Sequence, residues 1–131
     1  MLKILDSENK ISLNDINEIE NQIGLSIPNN FKKFILKYNG GYIEEHDYID
    51  TLLSIKYGKI TIEYFIKLHT QIEKNLPVNF LPIALDWSNN PIAIDLQKND
   101  IVLFYFDEDS ERKIIANSLE ELLGVESIDE L

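Results

Sequence analysis

Four short apolar segments follow one another in the second half of the chain, and their spacing limits the folds open to it. They span Leu81 to Leu85, Ile92 to Leu96, Ile101 to Phe106 and Lys113 to Ala116. Only short stretches rich in Asn, Asp, Ser and Pro separate them, as is typical of turns between strands. Parallel strands need a crossover of about a dozen residues or more, so we expect these neighbours to pair antiparallel.

Two helices are predicted before the strand region. The first begins at Ser12, a favourable N-cap, carries isoleucines along one face, and ends at Gly24. The second follows Pro28, with Asn29 or Asn30 as its N-cap, and ends at an Asn-Gly-Gly sequence. Both carry one apolar stripe, which indicates helices that pack on a core.

Further elements complete an α+β pattern. Residues 42–57 indicate loop and short strand, a third helix is predicted from Thr61 to Lys74, and a last one is capped by Ser118. Helices, then a strand meander, then a helix favour an α+β fold with an antiparallel sheet of short strands flanked by helices. No repeat or linker divides the sequence, so we expect one domain over residues 1–131.

The charge is strongly acidic. Among 131 residues, 23 are Asp or Glu and 12 are Lys or Arg, for a formal net charge of −11. With 44 % hydrophobic residues the chain is expected to fold rather than remain a disordered acidic segment. Bare nucleic acid and anionic membranes would be repelled, so neither is expected as a direct partner. A basic protein is the partner that this charge favours.

The N-terminal residues and the absence of cysteine bear on location. Asp6 and Glu8 interrupt any signal-peptide core, and no apolar stretch approaches membrane-spanning length. Without cysteine the chain has no disulfide framework and no thiolate ligand or nucleophile. We expect a cytoplasmic protein.

The residue inventory excludes most catalytic arrangements. The two histidines, His46 and His69, are too few for a multi-histidine metal site, and the glycines match no phosphate-binding or dinucleotide-binding spacing. We interpret His69 as a partly buried packing residue and His46 as part of a solvent-exposed loop. No enzymatic activity and no cofactor are expected.

Two other features admit more than one interpretation. Four carboxylates near strand ends could converge on Mg²⁺ or Ca²⁺ and support an enzyme, or could be ordinary solvated turn residues; they are Asp86, Asp95, Asp107 and Asp109. Trp87 is either a packing residue or the anchor of a protein interface.

The order of segments resembles the SUKH superfamily, which includes the fungal Smi/Knr cell-wall regulators and many bacterial immunity proteins. Residues 23–41 read IGLSIPNNFKKFILKYNGG and resemble its N-terminal signature. Residues 81–86, 92–96 and 115–123 read LPIALD, IAIDL and IANSLEELL, which are similar to its later motifs. Two turns depart from the pattern: its glycine-rich turn is Trp87 to Pro91 here, and its Asp-His-Glu is Asp107 to Asp109.

This resemblance implies a curved antiparallel sheet flanked by helices, and a binding role without catalysis. It favours an immunity protein that occludes a cognate polymorphic or contact-dependent toxin with a basic surface, such as a nuclease, and that is a monomer or weak dimer. A regulatory adaptor like the fungal relatives is the alternative. The expected contact residues combine acidic loops with the tryptophan: Glu44, Glu45, Asp47, Asp50, Asp86, Trp87, Asp107, Glu108, Asp109 and Glu111.

Overall fold

Helix α1 shows how closely the local sequence determines the first element. In a computed structural model, which describes residues 2–106 and 111–131, α1 spans Leu13–Ile23. Ser12 Oγ accepts the N–H of Asp15 at 3.2 Å, and the Asp15 carboxylate accepts the N–H of Ser12 at 2.9 Å. Gly24 ends the helix in the left-handed conformation. The predicted cap and end of α1 are confirmed.

The same aspartate forms an ion pair. Asp15 Oδ1 lies 3.0 Å from Lys56 Nζ, which joins α1 to the segment before the third helix. The N–H of Ser12 and then the Lys56 ammonium hold the pKa of Asp15 below its ordinary value of 3.8. The carboxylate in turn raises the pKa of Lys56 above its ordinary value of 10.5.

Helix α2 spans Asn29–Lys37, and its N-cap differs from the prediction. Pro28 occupies the cap position without a side-chain hydrogen bond, so the assignment of Asn29 or Asn30 was wrong. Asn30 lies inside the helix, where its amide donates to Glu120 Oε1 at 3.1 Å. Its Oδ1 accepts the N–H of Phe31 in the first turn at 2.8 Å, so the side chain satisfies a local backbone group as well as a residue 90 positions away.

The third helix changes its winding along its length. Helix α3 spans Ile62–Phe65, with Thr61 as its N-cap, and continues as a π-helix over Ile66–Ile72. The sequence predicted the helix but not the wider turns of its second part. There His69 packs between Phe65 and Phe106, with ring centroids 4.2 and 5.1 Å away. The packing role predicted for His69 is confirmed.

Within the described residues, seven antiparallel strands form one sheet in the order of the chain, each paired with its sequence neighbour. They are β1 Ile4–Leu5, β2 Gly41–Ile43, β3 Thr51–Leu52, β4 Phe80–Leu85, β5 Pro91–Asp95, β6 Ile101–Tyr105 and β7 Glu111–Ala116. The four predicted strands correspond to β4–β7 within one or two residues. The α+β class and the antiparallel pairing are confirmed.

The core lies around the central strands. Every residue of β4 and β5, and all but the last of β6, is buried, which explains their continuous apolar sequences. Register shifts in the β4–β5 and β6–β7 pairs bend the sheet. Helix α4, Leu119–Leu123, is capped by Ser118 as predicted and packs beside β7. A 3₁₀ turn over Ile128–Glu130 then packs against α2.

Candidate partner-binding surface

The order of the strands gathers the predicted contact residues at one end of the sheet. Consecutive antiparallel strands alternate in direction, so the β2–β3, β4–β5 and β6–β7 connections emerge on the same side. The register agrees, because Thr51 lies opposite Leu85, Leu85 opposite Pro91, and Tyr105 opposite Glu111. We call this side the acidic end; among the described residues it carries Glu44, Glu45, Asp47, Asp50, Asp86, Trp87 and Glu111.

Three predicted contact residues are not placed. Asp107, Glu108 and Asp109 lie outside the described residues. The described residues on both sides of them, Phe106 and Glu111, follow β6 and begin β7 at the acidic end.

Trp87 is the most exposed large aromatic residue at this end. The residue is 70 % exposed, so Trp87 does not pack in the core. The turn that carries it is tightly built: the Asp86 carboxylate accepts the N–H groups of Ser88 at 2.9 Å and Asn90 at 2.8 Å. Asn90 is buried, and its Oδ1 accepts the N–H of Phe106 at 3.2 Å. The indole is therefore displayed on a turn that is fastened to β6.

In that turn, an asparagine adopts a backbone conformation that glycine usually supplies. Asn89 adopts φ 63°, a left-handed conformation that Asn tolerates better than most residues. The turn between β5 and β6 uses the same chemistry, with Asn99 at φ 64° and the Asp95 carboxylate accepting the N–H of Gln97 at 2.9 Å. The absence of glycine from the turn after Asp86 therefore does not prevent tight reversal.

Of the four carboxylates proposed to converge on a metal ion, Asp86 and Asp95 are separated by the topology, and Asp107 and Asp109 lie outside the described residues. Asp86 follows the last residue of β4, whereas Asp95 lies opposite Phe80, the first residue of that strand. They stand at opposite ends of one hairpin, and each accepts backbone N–H groups of its own turn. Within residues 2–106 and 111–131, no group of three or more His, Asp or Glu side chains is arranged to hold a metal.

The loop between β2 and β3 is held in place by His46. Its Nδ1 accepts the N–H groups of Tyr48 at 3.0 Å and Ile49 at 2.9 Å, so the ring proton lies on Nε2. That Nε2 donates to the carbonyl oxygen of Leu122 at 2.7 Å. The expectation that His46 is a solvent-exposed loop residue was wrong, because the ring is half-buried and joins the loop to α4. No local pattern could have identified a partner 76 residues away.

A groove of about 580 Å³ separates this loop from the C-terminal end of α4. Four carboxylates line it: Glu44, Glu45 and Asp47 from the loop, and Glu121 from the helix. Lys3 is the basic residue in its wall, 3.7 Å from Glu44. Four carboxylates against one lysine give the groove a negative potential that favours a cationic group.

The two remaining predicted residues differ in exposure. Asp50 is half-buried beside the end of β4, and its Oδ2 accepts the Thr51 hydroxyl at 2.9 Å. Glu111 is exposed at the start of β7. The Asp86 carboxylate therefore supports the backbone of its turn, and the Asp50 carboxylate binds the neighbouring Thr51 hydroxyl. The residues that the acidic end exposes are Trp87, Glu44, Glu45, Asp47 and Glu111.

In the part of the chain that the structure describes, no helix has the length and apolar character needed to cross a membrane.

Two comparisons with known proteins find relatives. The model of the SMI1 / KNR4 family (SUKH-1) matches residues 10–124, from just before α1 to the glycine that ends α4. The SPbeta prophage-derived uncharacterized protein YokK of Bacillus subtilis (strain 168) is 28 % identical over 136 residues. That alignment covers 82 % of this chain and 70 % of YokK. The matched range includes residues 23–41, 81–86, 92–96 and 115–123, which contain the motifs quoted above.

Proposed function

The chain belongs to the SMI1/KNR4 (SUKH-1) family, and from that premise we propose that it is a cytoplasmic immunity protein. It binds a cognate bacterial toxin and neutralises the toxin by covering its active surface. Occlusion of this kind needs a stable docking face and no chemical step, so the proposal assigns the chain no catalytic residue.

The observation that carries the proposal is the acidic end itself. Three connections far apart in sequence bring five exposed residues to one side of the sheet, and four of them are carboxylates. An enzyme that cuts nucleic acid needs a positive cleft to hold its substrate, and an acidic face complements such a cleft. Opposite fields also raise the rate of encounter, which matters for a protein that must intercept a toxin.

Trp87 supplies the second part of the argument. Charge steers association, but binding energy in protein interfaces is concentrated in a few buried anchors, among which Trp is enriched. An indole that is 70 % exposed on a fastened turn has apolar surface to bury and little conformational freedom to lose. We assign it the central contact of the docking face.

Co-expression tests the proposal directly. The chain is produced with the polypeptide encoded by the neighbouring gene, and growth of the host and recovery of a complex are both measured. Rescued growth and a stable complex support an immunity function. A neighbouring polypeptide that is harmless, or that is toxic and is neither bound nor neutralised, contradicts it; capture of a non-toxic cellular protein would favour the adaptor alternative.

Matched variants test the docking face. Trp87→Ala is expected to raise the Kd by about 30-fold, the effect of losing a hot-spot residue worth about 2 kcal/mol. Tyr64→Ala removes an aromatic side chain that is also exposed, on α3 and away from the acidic end, and should leave the Kd unchanged. Equal losses for both variants would contradict the assignment.

A second pair separates local from overall charge. Glu44→Gln with Glu45→Gln, and Glu8→Gln with Glu18→Gln, change the net charge equally and alter only exposed side chains. The first pair should slow association by roughly tenfold at low salt and flatten its salt dependence. The second pair should have a much smaller effect. Identical salt profiles would show that only the total charge matters.

A further inference from the structure

Strand β7 ends the sheet with an open edge. It pairs with β6 on one side and is the last strand in the sheet order. At six residues it is long enough to pair with another strand, whereas β1, the strand at the opposite edge, has two. In the described part of the chain, no backbone hydrogen bond from another element reaches residues 111–116 on their outer side.

The edge is exposed and partly apolar. The first four residues of β7, 111–114, are exposed, and the side chain of Ile114 is 58 % exposed. Alternate N–H and C=O groups of an edge strand point outward and can accept a further strand. Since β7 begins with Glu111, this edge is continuous with the acidic end.

The edge carries two adjacent basic residues in a molecule whose formal net charge is −11. Among the strands described, only β7 contains basic residues, Arg112 and Lys113. The Arg112 guanidinium lies over the rings of Phe104 and Phe80, 5.1 and 5.6 Å from their centroids, and its position is therefore restricted. Lys113 is exposed on the other face of the strand, with its Nζ 5.5 Å from the centroid of the Tyr48 ring in the β2–β3 loop.

We propose that β7 accepts an extended, acidic segment of the partner protein as an eighth strand of the sheet. Main-chain hydrogen bonds to the outer side of β7 supply affinity, and carboxylates opposite Arg112 and Lys113 select the partner. This inference rests on the proposed function, because it takes the strand and the positive cleft to belong to the same toxin.

Charge argues against a second copy of this chain as the occupant. Symmetric antiparallel pairing of β7 with itself brings the two adjacent basic residues of both copies close together, and like charges across a strand pair are destabilising. Edge charges of this kind are a common protection against self-association. An acidic strand from another protein relieves the repulsion that a second copy would create.

A charge reversal distinguishes this contact from the acidic end. Lys113→Glu is compared with Lys98→Glu, an exposed lysine in the β5–β6 turn at the opposite end of the sheet. If only the acidic end bound a positive cleft, an added negative charge would leave the affinity unchanged or tighten it. An acidic strand at β7 instead predicts that Lys113→Glu raises the Kd by about tenfold, equivalent to about 1.4 kcal/mol, while Lys98→Glu does not.

Amide hydrogen exchange provides the second measurement, on the free chain and on its complex with the polypeptide of the neighbouring gene. The outward N–H groups of β7 should exchange at least tenfold more slowly in the complex. Unchanged exchange at 111–116, or tighter binding by Lys113→Glu, overturns the inference.

The outcomes separate the two proposals. If Lys113→Glu does not weaken binding and amide exchange at 111–116 is unchanged, while Trp87→Ala still weakens the complex, the immunity function stands and the eighth strand is rejected. If the neighbouring polypeptide forms no complex at all, both are rejected.

Discussion

Replacing Asn39 with alanine should destabilise the fold far more than the loss of a surface asparagine. Asn39 is 1 % exposed and follows α2 in the Asn-Gly-Gly sequence. Its Nδ2 donates to the carbonyl oxygens of Asn9 and Ile55, both at 2.9 Å, and its Oδ1 accepts the N–H of Ile55 at 2.7 Å. One side chain thus ties the N-terminal segment and the segment after β3 to the end of α2.

The magnitude follows from these three hydrogen bonds. Each contributes about 1 kcal/mol, and the N–H of the fully buried Ile55 would be left without its acceptor, which adds about 1 kcal/mol or more. Asn39→Ala should therefore lower the free energy of unfolding by about 4 kcal/mol. For a domain whose total stability is about 5–15 kcal/mol, that is a large fraction.

Urea denaturation monitored by circular dichroism measures the loss. With a slope of about 2 kcal/mol per molar urea, 4 kcal/mol lowers the midpoint by about 2 M. Asn21→Ala is the control: Asn21 is exposed on α1, and among the described residues its side chain makes no hydrogen bond. Its change should stay within about 0.5 kcal/mol. A midpoint shift below about 0.5 M for Asn39→Ala would refute the reasoning.

Three further predictions concern single residues. His46→Ala should speed amide exchange in the β2–β3 loop by about tenfold or more, because the ring's three hydrogen bonds, each worth about 1 kcal/mol, are lost. Asp15→Asn should cost stability at neutral pH but not in acid. Because the pKa of Asp15 is lowered in the fold, the stability that its carboxylate contributes is complete above about pH 4 and is lost as the pH falls through that pKa. Because the pKa of Lys56 is raised, the stability contributed by the ion pair is lost again above about pH 10.5. Unfolding at several pH values measures both limits. Gly41→Ala should lower the thermal stability of the fold more than Gly24→Ala does. Both glycines have positive φ, which costs alanine about 1–2 kcal/mol of strain. Only at Gly41 would the added Cβ also collide with a backbone atom, the carbonyl oxygen of Leu5.

Each of these has a plain contrary result. Unchanged loop exchange in His46→Ala would mean that the loop is held by other contacts. A stability difference for Asp15→Asn that persists in acid would assign the effect to something other than the charge. Equal losses of thermal stability in the two glycine variants would show that the Leu5 carbonyl oxygen moves away from the added Cβ at little cost.

Local signals were sufficient for the elements with well-defined ends. The caps at Ser12 and Ser118 act within three residues of the helix they begin, so sequence spacing alone located them. The strands β4–β7 were predicted for a similar reason, since short turns leave antiparallel pairing as the simple connection. Short strand was predicted within residues 42–57 without exact bounds, because β2 and β3 have only two or three residues each, and the two-residue β1 was not predicted.

The residues of the candidate surface were chosen from charge and residue type, and their role in binding stays a prediction. The meander explains why those that are described share one end of the sheet. The contacts that support that end, His46 to Leu122 and Asn90 to Phe106, span 76 and 16 residues. Such pairs depend on tertiary structure, and a single sequence contains no signal that identifies them.

The neighbour-to-neighbour order of the strands also sets an order of assembly. Each connection between β4, β5, β6 and β7 spans five residues, whereas about 35 residues separate β1 from β2. Closing the longer loop costs about 1.7 kcal/mol more chain entropy, from the logarithmic dependence on length. The hairpins of the second half are therefore the natural folding nucleus. We expect the two-residue β1 to join last and detach first, so that local unfolding of the N-terminus leaves the turn that carries Trp87 in place.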